Sequence, residues 1–169
     1  MTDTSDDMET CHGCGGRFAR IEGPTHRYMT SAPGCWAAYG KVLAAEYEDF
    51  RLMKTHRLTV DAYAIQHPGD GSRAAIQSVG LHLARLMVQL ESPRPPRQTN
   101  DVMLGLARHK ASLVALEPPA AFTMTVADVA PFAGTDRHVE MVENWARQTF
   151  ADWHAQHDTI RAWIATTGQ

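Results

Sequence analysis

Beyond residue 34, apolar residues recur every three or four positions through most of the chain, the spacing that gives an α-helix one buried face. Trp36, Tyr39, Leu43, Tyr47 and Phe50 predict a first helix over 35–48, with Ser31 as a cap and Pro33 near its start. A second helix is predicted over 53–67. It must stop at His67, because Pro68 pushes the residue before it out of the α region. Ser72 then caps a third helix with the stripe Ile76, Val79, Leu83, Leu86 and Leu90, which ends before ESPRPPRQ. Asn100 is placed to cap a fourth reaching about Leu116. Thr125 and Asp128 have capping-box spacing for a short piece. Residues 136–165 read as one long final helix carrying Val142, Trp145, Trp153, Ile160 and Ile164. FTMTV at 122–126 is the one stretch that competes as a strand.

The first fifth reads differently. Residues 1–10 are polar and acidic and are expected to be a disordered tail. Residues 11–34 contain Gly13, Gly15, Gly16, Gly23, Pro24, Pro33 and Gly34, too punctuated for a long regular element. The expected fold is therefore all-α: one domain over 11–169, a bundle of four to five helices with an irregular, zinc-knuckle-like N-terminal segment. At 169 residues, 44% of them hydrophobic, the chain is long enough to bury a core without disulfides.

Charge narrows the partners. Of 19 acidic residues, Asp3, Asp6, Asp7 and Glu9 lie in the tail, leaving 15 against 16 lysines and arginines. A nucleic-acid binder shows a basic face or stripe, and the arginines of ARLMVQLESPRPPRQ are diluted by apolar and acidic neighbours. The expected partner is a small molecule or a protein, with no nucleic acid. No run approaches the roughly 18 apolar residues of a membrane span. MTDTSDDMET lacks the basic and apolar regions of a signal peptide, so a cytoplasmic, reducing location is expected for the three cysteines.

Those cysteines carry the strongest chemistry. In CHGCGG, Cys11 and Cys14 stand two residues apart. A redox CxxC belongs between a strand and a helix of a βαβ unit, which is not the setting here. Covalent haem attachment needs a histidine after the second cysteine, where Gly15 stands. A metal knuckle fits, because the glycines let the backbone curl until both sulfurs reach one ion, roughly 2.3 Å away for zinc. Cys35 is the natural third ligand, since the start of a helix stabilises a thiolate.

The fourth ligand follows from a helical hairpin. Helix 35–48 climbs about 20 Å and helix 53–67 descends about 21 Å, so His67 returns to the level of Cys35. The same register sets Tyr39 against Tyr63, Val42 against Val60 and Glu46 against His56. His67 is the best placed, with the loop residue His26 and the helix residue His56 as alternatives.

CHGCGG, GCW, HRLTVDAYAIQHPG and WARQTFADW together resemble a group of bacterial proteins known only as a domain of unknown function, over most of residues 11–165. The resemblance implies that the CxxCG pair, the cysteine at Cys35 and the histidines at His56 and His67 recur. A histidine at the place of His26 is missing from some members, which supports His67. The resemblance implies no activity.

Other residues suggest weaker readings. Glu46 facing His56 would fix its tautomer, as a brace for the hairpin or as a catalytic pair. His56, Glu46 and Asp61 are the catalytic candidates, although His56 and Asp61 point about 140° apart on one helix. His82 and His157 read as packing residues. The expected role is that of a zinc-binding helical protein with a structural Cys3His site. One alternative is a metal-dependent enzyme in the style of the DinB-like helical bundles, built on His56 or His67 with His154 or His157. The other is a protein-interaction module.

Overall fold

The computed structural model describes residues 7–168. It begins with an antiparallel hairpin in which β1 (Met8–Thr10) pairs with β2 (Arg17–Ala19), Met8 opposite Ala19 and Thr10 opposite Arg17. Residues 8–10 were expected within the acidic tail and instead form β1. Their pairing is anchored by Phe18, which β2 buries in the core. Residues 1–6 of that tail lie outside the described residues.

Seven α-helices follow among the described residues, where four to five were expected. They are α1 (Pro33–Glu48), α2 (His56–Ile65), α3 (Arg73–Glu91), α4 (Pro96–Arg108), α5 (Val126–Val129), α6 (His138–Asp152) and α7 (His157–Ala165). Among the described residues the sheet is limited to the hairpin, so the fold is all-α with an irregular cysteine-bearing N-terminal segment.

Local chemistry explains most boundaries. Ser72 Oγ accepts the Ala75 N–H at the start of α3. A full capping box forms before α5, where Asp128 accepts the Thr125 N–H at 2.8 Å. Helix α1 starts with Pro33, whose missing N–H costs nothing there, while Ser31 does not cap it. Likewise α4 starts at Pro96 rather than at Asn100, and ends at Arg108 instead of reaching Leu116. FTMTV forms no strand. The N–H and hydroxyl of Thr123 are both taken by Asp152, at 2.8 and 2.7 Å, and are unavailable to a ladder.

The long final helix is broken at Trp153. A 3-10 turn over His154–Gln156 separates α6 from α7. Two imidazoles join the Trp153 N–H at the carbonyls of the broken end: His157 Nε2 donates to Phe150 O at 2.9 Å and His154 Nδ1 to Ala151 O at 3.1 Å. The break lets Trp153 turn inward, where it is fully buried.

Helix α2 lies at the centre, packed against α1, α3 and α6. Its Ala62, Tyr63, Ala64 and Ile65 are buried in succession, so all sides of its last turn meet protein. Gln66 closes it by donating to Met124 O and Thr149 Oγ1 and accepting the Trp145 indole N–H at 3.2 Å. That bond allows a tryptophan with no solvent exposure in the core.

Candidate metal centre

Three elements deliver the site. Beyond β1 the chain turns sharply: the Cys11 N–H bonds Gly16 O and the Gly15 N–H bonds Cys11 O, both at 2.8 Å. Gly15 adopts φ 76°, a conformation that side chains other than glycine rarely take. At Gly13 a side chain would collide with the imidazole of His67 and the carbonyl of Thr30, so glycine lets the knuckle lie flat on the histidine. Cys35 sits in the first turn of α1, and His67 just past the end of α2.

The four side chains converge. Cys11, Cys14, Cys35 and His67 are all buried, and their ligand atoms all lie within 4.8 Å of one another. Sγ of Cys14 and Cys35 are 3.8 Å apart, while His67 Nε2 is 3.5 Å from Cys11 Sγ and 3.4 Å from Cys35 Sγ. Two 2.3 Å zinc–sulfur bonds at the tetrahedral angle place their sulfurs roughly 3.8 Å apart, and a 2.0–2.1 Å zinc–nitrogen bond places nitrogen about 3.5 Å from sulfur. These three separations match edges of such a tetrahedron. The group could hold a metal ion, and it is the one set of this kind among the described residues.

Surrounding groups orient the ligands. His67 Nδ1 donates to the Tyr63 carbonyl at 2.7 Å, which leaves the Nε2 lone pair directed at the sulfurs. Tyr63 stacks on the same imidazole at 4.0 Å and points its hydroxyl at Cys35 Sγ, 3.5 Å away. Backbone N–H groups of Ala32 and Gly16 donate to Cys11 and Cys14, each at 3.4 Å. Burial pushes the Tyr63 phenol well up, so it remains a donor.

Hydrogen bonding among the three thiols shifts them in opposite directions. Cys11 is held well below the usual thiol range, chiefly by hydrogen bonds from the thiols of Cys14 and Cys35. Cys14 is pushed up to about 12, chiefly by its bond to Cys11. Cys35 is driven up for the same reason and by burial. A divalent cation among the three sulfurs would favour the thiolate form of each.

The other candidates lie elsewhere. His26 is outside the cluster; its Nδ1 accepts the N–H groups of Tyr28 and Met29, and its ring meets Tyr28 and Trp36. His56 Nδ1 donates to Glu46 Oε2 at 2.8 Å. Glu46 is fully buried and also takes bonds from Thr55, Thr59 and, at 3.4 Å, His138 Nε2. The Gly134 N–H occupies His138 Nδ1, so Nε2 is the protonated nitrogen. The pair is therefore part of a closed brace joining α1, α2 and α6. His154 and His157 are spent on backbone carbonyls and meet neither His56 nor His67.

Asp61 is fully buried, and its partners come from α3: His82, Arg85 and Gln89. Sequence reasoning missed His82 and His138. A usable signal existed for His82, since a carboxylate in the apolar run VDAYAI needs a cation, and His82, Arg85 and Gln89 stand in one row of α3.

No curated protein and no solved structure matches the chain. A model described as "Family of unknown function (DUF5946)" matches residues 9–154, a span that contains all four clustered side chains. The chain belongs to that family.

Proposed function

We propose that Cys11, Cys14, Cys35 and His67 bind one zinc ion, and that the ion is a structural cross-link fastening the N-terminal hairpin to the start of α1 and the end of α2. The observation that carries this reading is the convergence of three sulfurs and one imidazole nitrogen within 4.8 Å, with three of their separations at the edge lengths of a zinc tetrahedron. Mixed thiolate and imidazole donors in that geometry suit zinc. Four protein ligands saturate the ion, leaving no position for water or substrate, which is the arrangement of a structural site. Burial of all four ligands fits the same role.

The position of the ion explains its use. Residues 20–32 contribute no helix or strand, so the hairpin is tied to the bundle by Phe18, a few backbone contacts and the cluster. Apparent zinc binding in finger peptides is worth about 10–16 kcal/mol, against about 5–15 kcal/mol for a whole domain. One ion can therefore decide whether this segment is ordered. X-ray absorption at the zinc edge tests the donor set: three sulfurs and one imidazole are expected, losing the imidazole signature in His67→Ala. A wild-type spectrum with two or fewer sulfurs, or with a water oxygen as fourth ligand, would overturn the structural reading.

A further inference from the structure

A second polar constellation, separate from the cysteines, forms one wall of a cavity. The cavity lies between α3 and α4 and measures about 440 Å³, inside the range of roughly 300–1,000 Å³ found for small-molecule sites. Leu81, Met103, Leu104 and Ala107 make its apolar surface, and His82 and Arg85 its polar side, with Asn100 at the wall.

The polar side is held from behind. Asp61, with no solvent exposure, accepts His82 Nδ1–H at 2.7 Å, Arg85 Nη2–H at 2.6 Å, Arg85 Nε–H at 2.9 Å and Gln89 Nε2–H at 2.7 Å. An ionised carboxylate only accepts, so His82 Nδ1 carries a hydrogen, and in the neutral imidazole Nε2 keeps its lone pair. Arg85 spends Nε and Nη2 on Asp61, while Nη1 has no protein acceptor among the described residues. The two groups are neighbours, with Arg85 Nη2 3.5 Å from His82 Nδ1.

Charge then selects the ligand. Arg85 neutralises Asp61, so with a neutral imidazole the wall has no net charge. It offers one strong acceptor, Nε2, beside one strong donor, Nη1–H. A carboxylate would face the Nε2 lone pair and an ammonium would face the guanidinium. A hydroxyl satisfies both, donating its hydrogen to Nε2 and accepting from Nη1. We propose that this cavity binds a small apolar molecule bearing a hydroxyl group, the hydroxyl bridging His82 and Arg85 and the hydrocarbon lying against Met103 and Leu104. The buried carboxylate is the positioning group. An Asp-held imidazole with its far nitrogen free also polarises the bound O–H, as a general base does. The proposal does not rest on the metal centre.

The test uses the full chain with ¹³C-methyl methionine, following Met103 during titration with p-cresol, 4-methylanisole, toluene and p-toluate. Saturable shifts at Met103 are expected with p-cresol. Its affinity should exceed that of toluene by about tenfold for two well-made hydrogen bonds, and that of 4-methylanisole, which keeps the oxygen but lacks the hydrogen, by about threefold for one. In His82→Phe the advantage over 4-methylanisole should vanish while far-UV circular dichroism is unchanged; should this variant misfold, the wild-type ranking decides alone. Equal affinity for p-cresol and toluene would reduce the cavity to an apolar groove and overturn the proposal. So would tighter binding of p-toluate, or no saturable shift with any probe.

Discussion

Replacing Arg85 by methionine should destabilise the protein more than replacing its partner, Asp61, by asparagine. The asymmetry comes from burial: the Asp61 side chain is 0% exposed and that of Arg85 is 26% exposed. Arg85→Met leaves a carboxylate in the interior with only His82 and Gln89 as donors, and stranding one member of a buried ion pair costs about 3–5 kcal/mol. Asp61→Asn keeps the shape and one acceptor oxygen, and it strands a guanidinium that water already reaches. Its cost should be about 1–3 kcal/mol, the penalty of imperfect hydrogen bonding. Against a total of about 5–15 kcal/mol, either loss is measurable. Because the residues touch, the double variant should cost less than the two single losses added, by about 0.5–3 kcal/mol. Urea unfolding of the wild type, the two single variants and the double variant gives all four stabilities. A result in which Asp61→Asn costs as much as Arg85→Met, or in which the losses simply add, would refute the assignment of burial as the controlling factor.

Three further outcomes are expected. Gly13→Ala should displace the His67 imidazole and weaken zinc binding by about 10–100-fold, the range for lost support around a metal ligand; competition with a chromogenic chelator measures it, with the exposed neighbour His12→Ala as the unchanged control. Trp145→Ala should cost about 3–5 kcal/mol in urea unfolding, since it opens a cavity and strips Gln66 Oε1 of its donor. Removing the metal should abolish amide-exchange protection at Arg17–Ala19 and at the first turn of α1, and lower it least in α3, whose packing contains no ligand.

The hairpin of α1 and α2 was legible because two short-range rules suffice to place it. Helical periodicity sets the inward faces, and a short connection sets the register. Tyr39 indeed stacks on Tyr63 at 3.9 Å, and Glu46 meets His56 at 2.8 Å. His67 could be placed beside Cys35 by the same rise per residue, with Pro68 marking where the helix must end. Contacts that depend on packing between distant helices were not legible. His138 reaches Glu46 from α6, far along the chain, and no local pattern specifies that approach. The break at Trp153 was hidden as well, because a periodic apolar stripe continues on both sides of it. The imidazoles of His157 and His154 and the Trp153 N–H meet the carbonyls of Phe150 and Ala151 at the break, a use of histidine that apolar periodicity does not signal. Strand β1 went unrecognised because MET pairs only through backbone groups and Phe18 of its partner.

The central claim is that three thiolates and one imidazole hold a single zinc ion as a structural cross-link. Elemental analysis combined with thiol titration, before and after chelation, tests it most directly. The account predicts one zinc per chain and no reactive thiol until the metal leaves, followed by release of the thiols of Cys11, Cys14 and Cys35 together. Freely reactive thiols in protein that retains its zinc, or purified protein that takes up no zinc while its thiols stay merely buried, would contradict it.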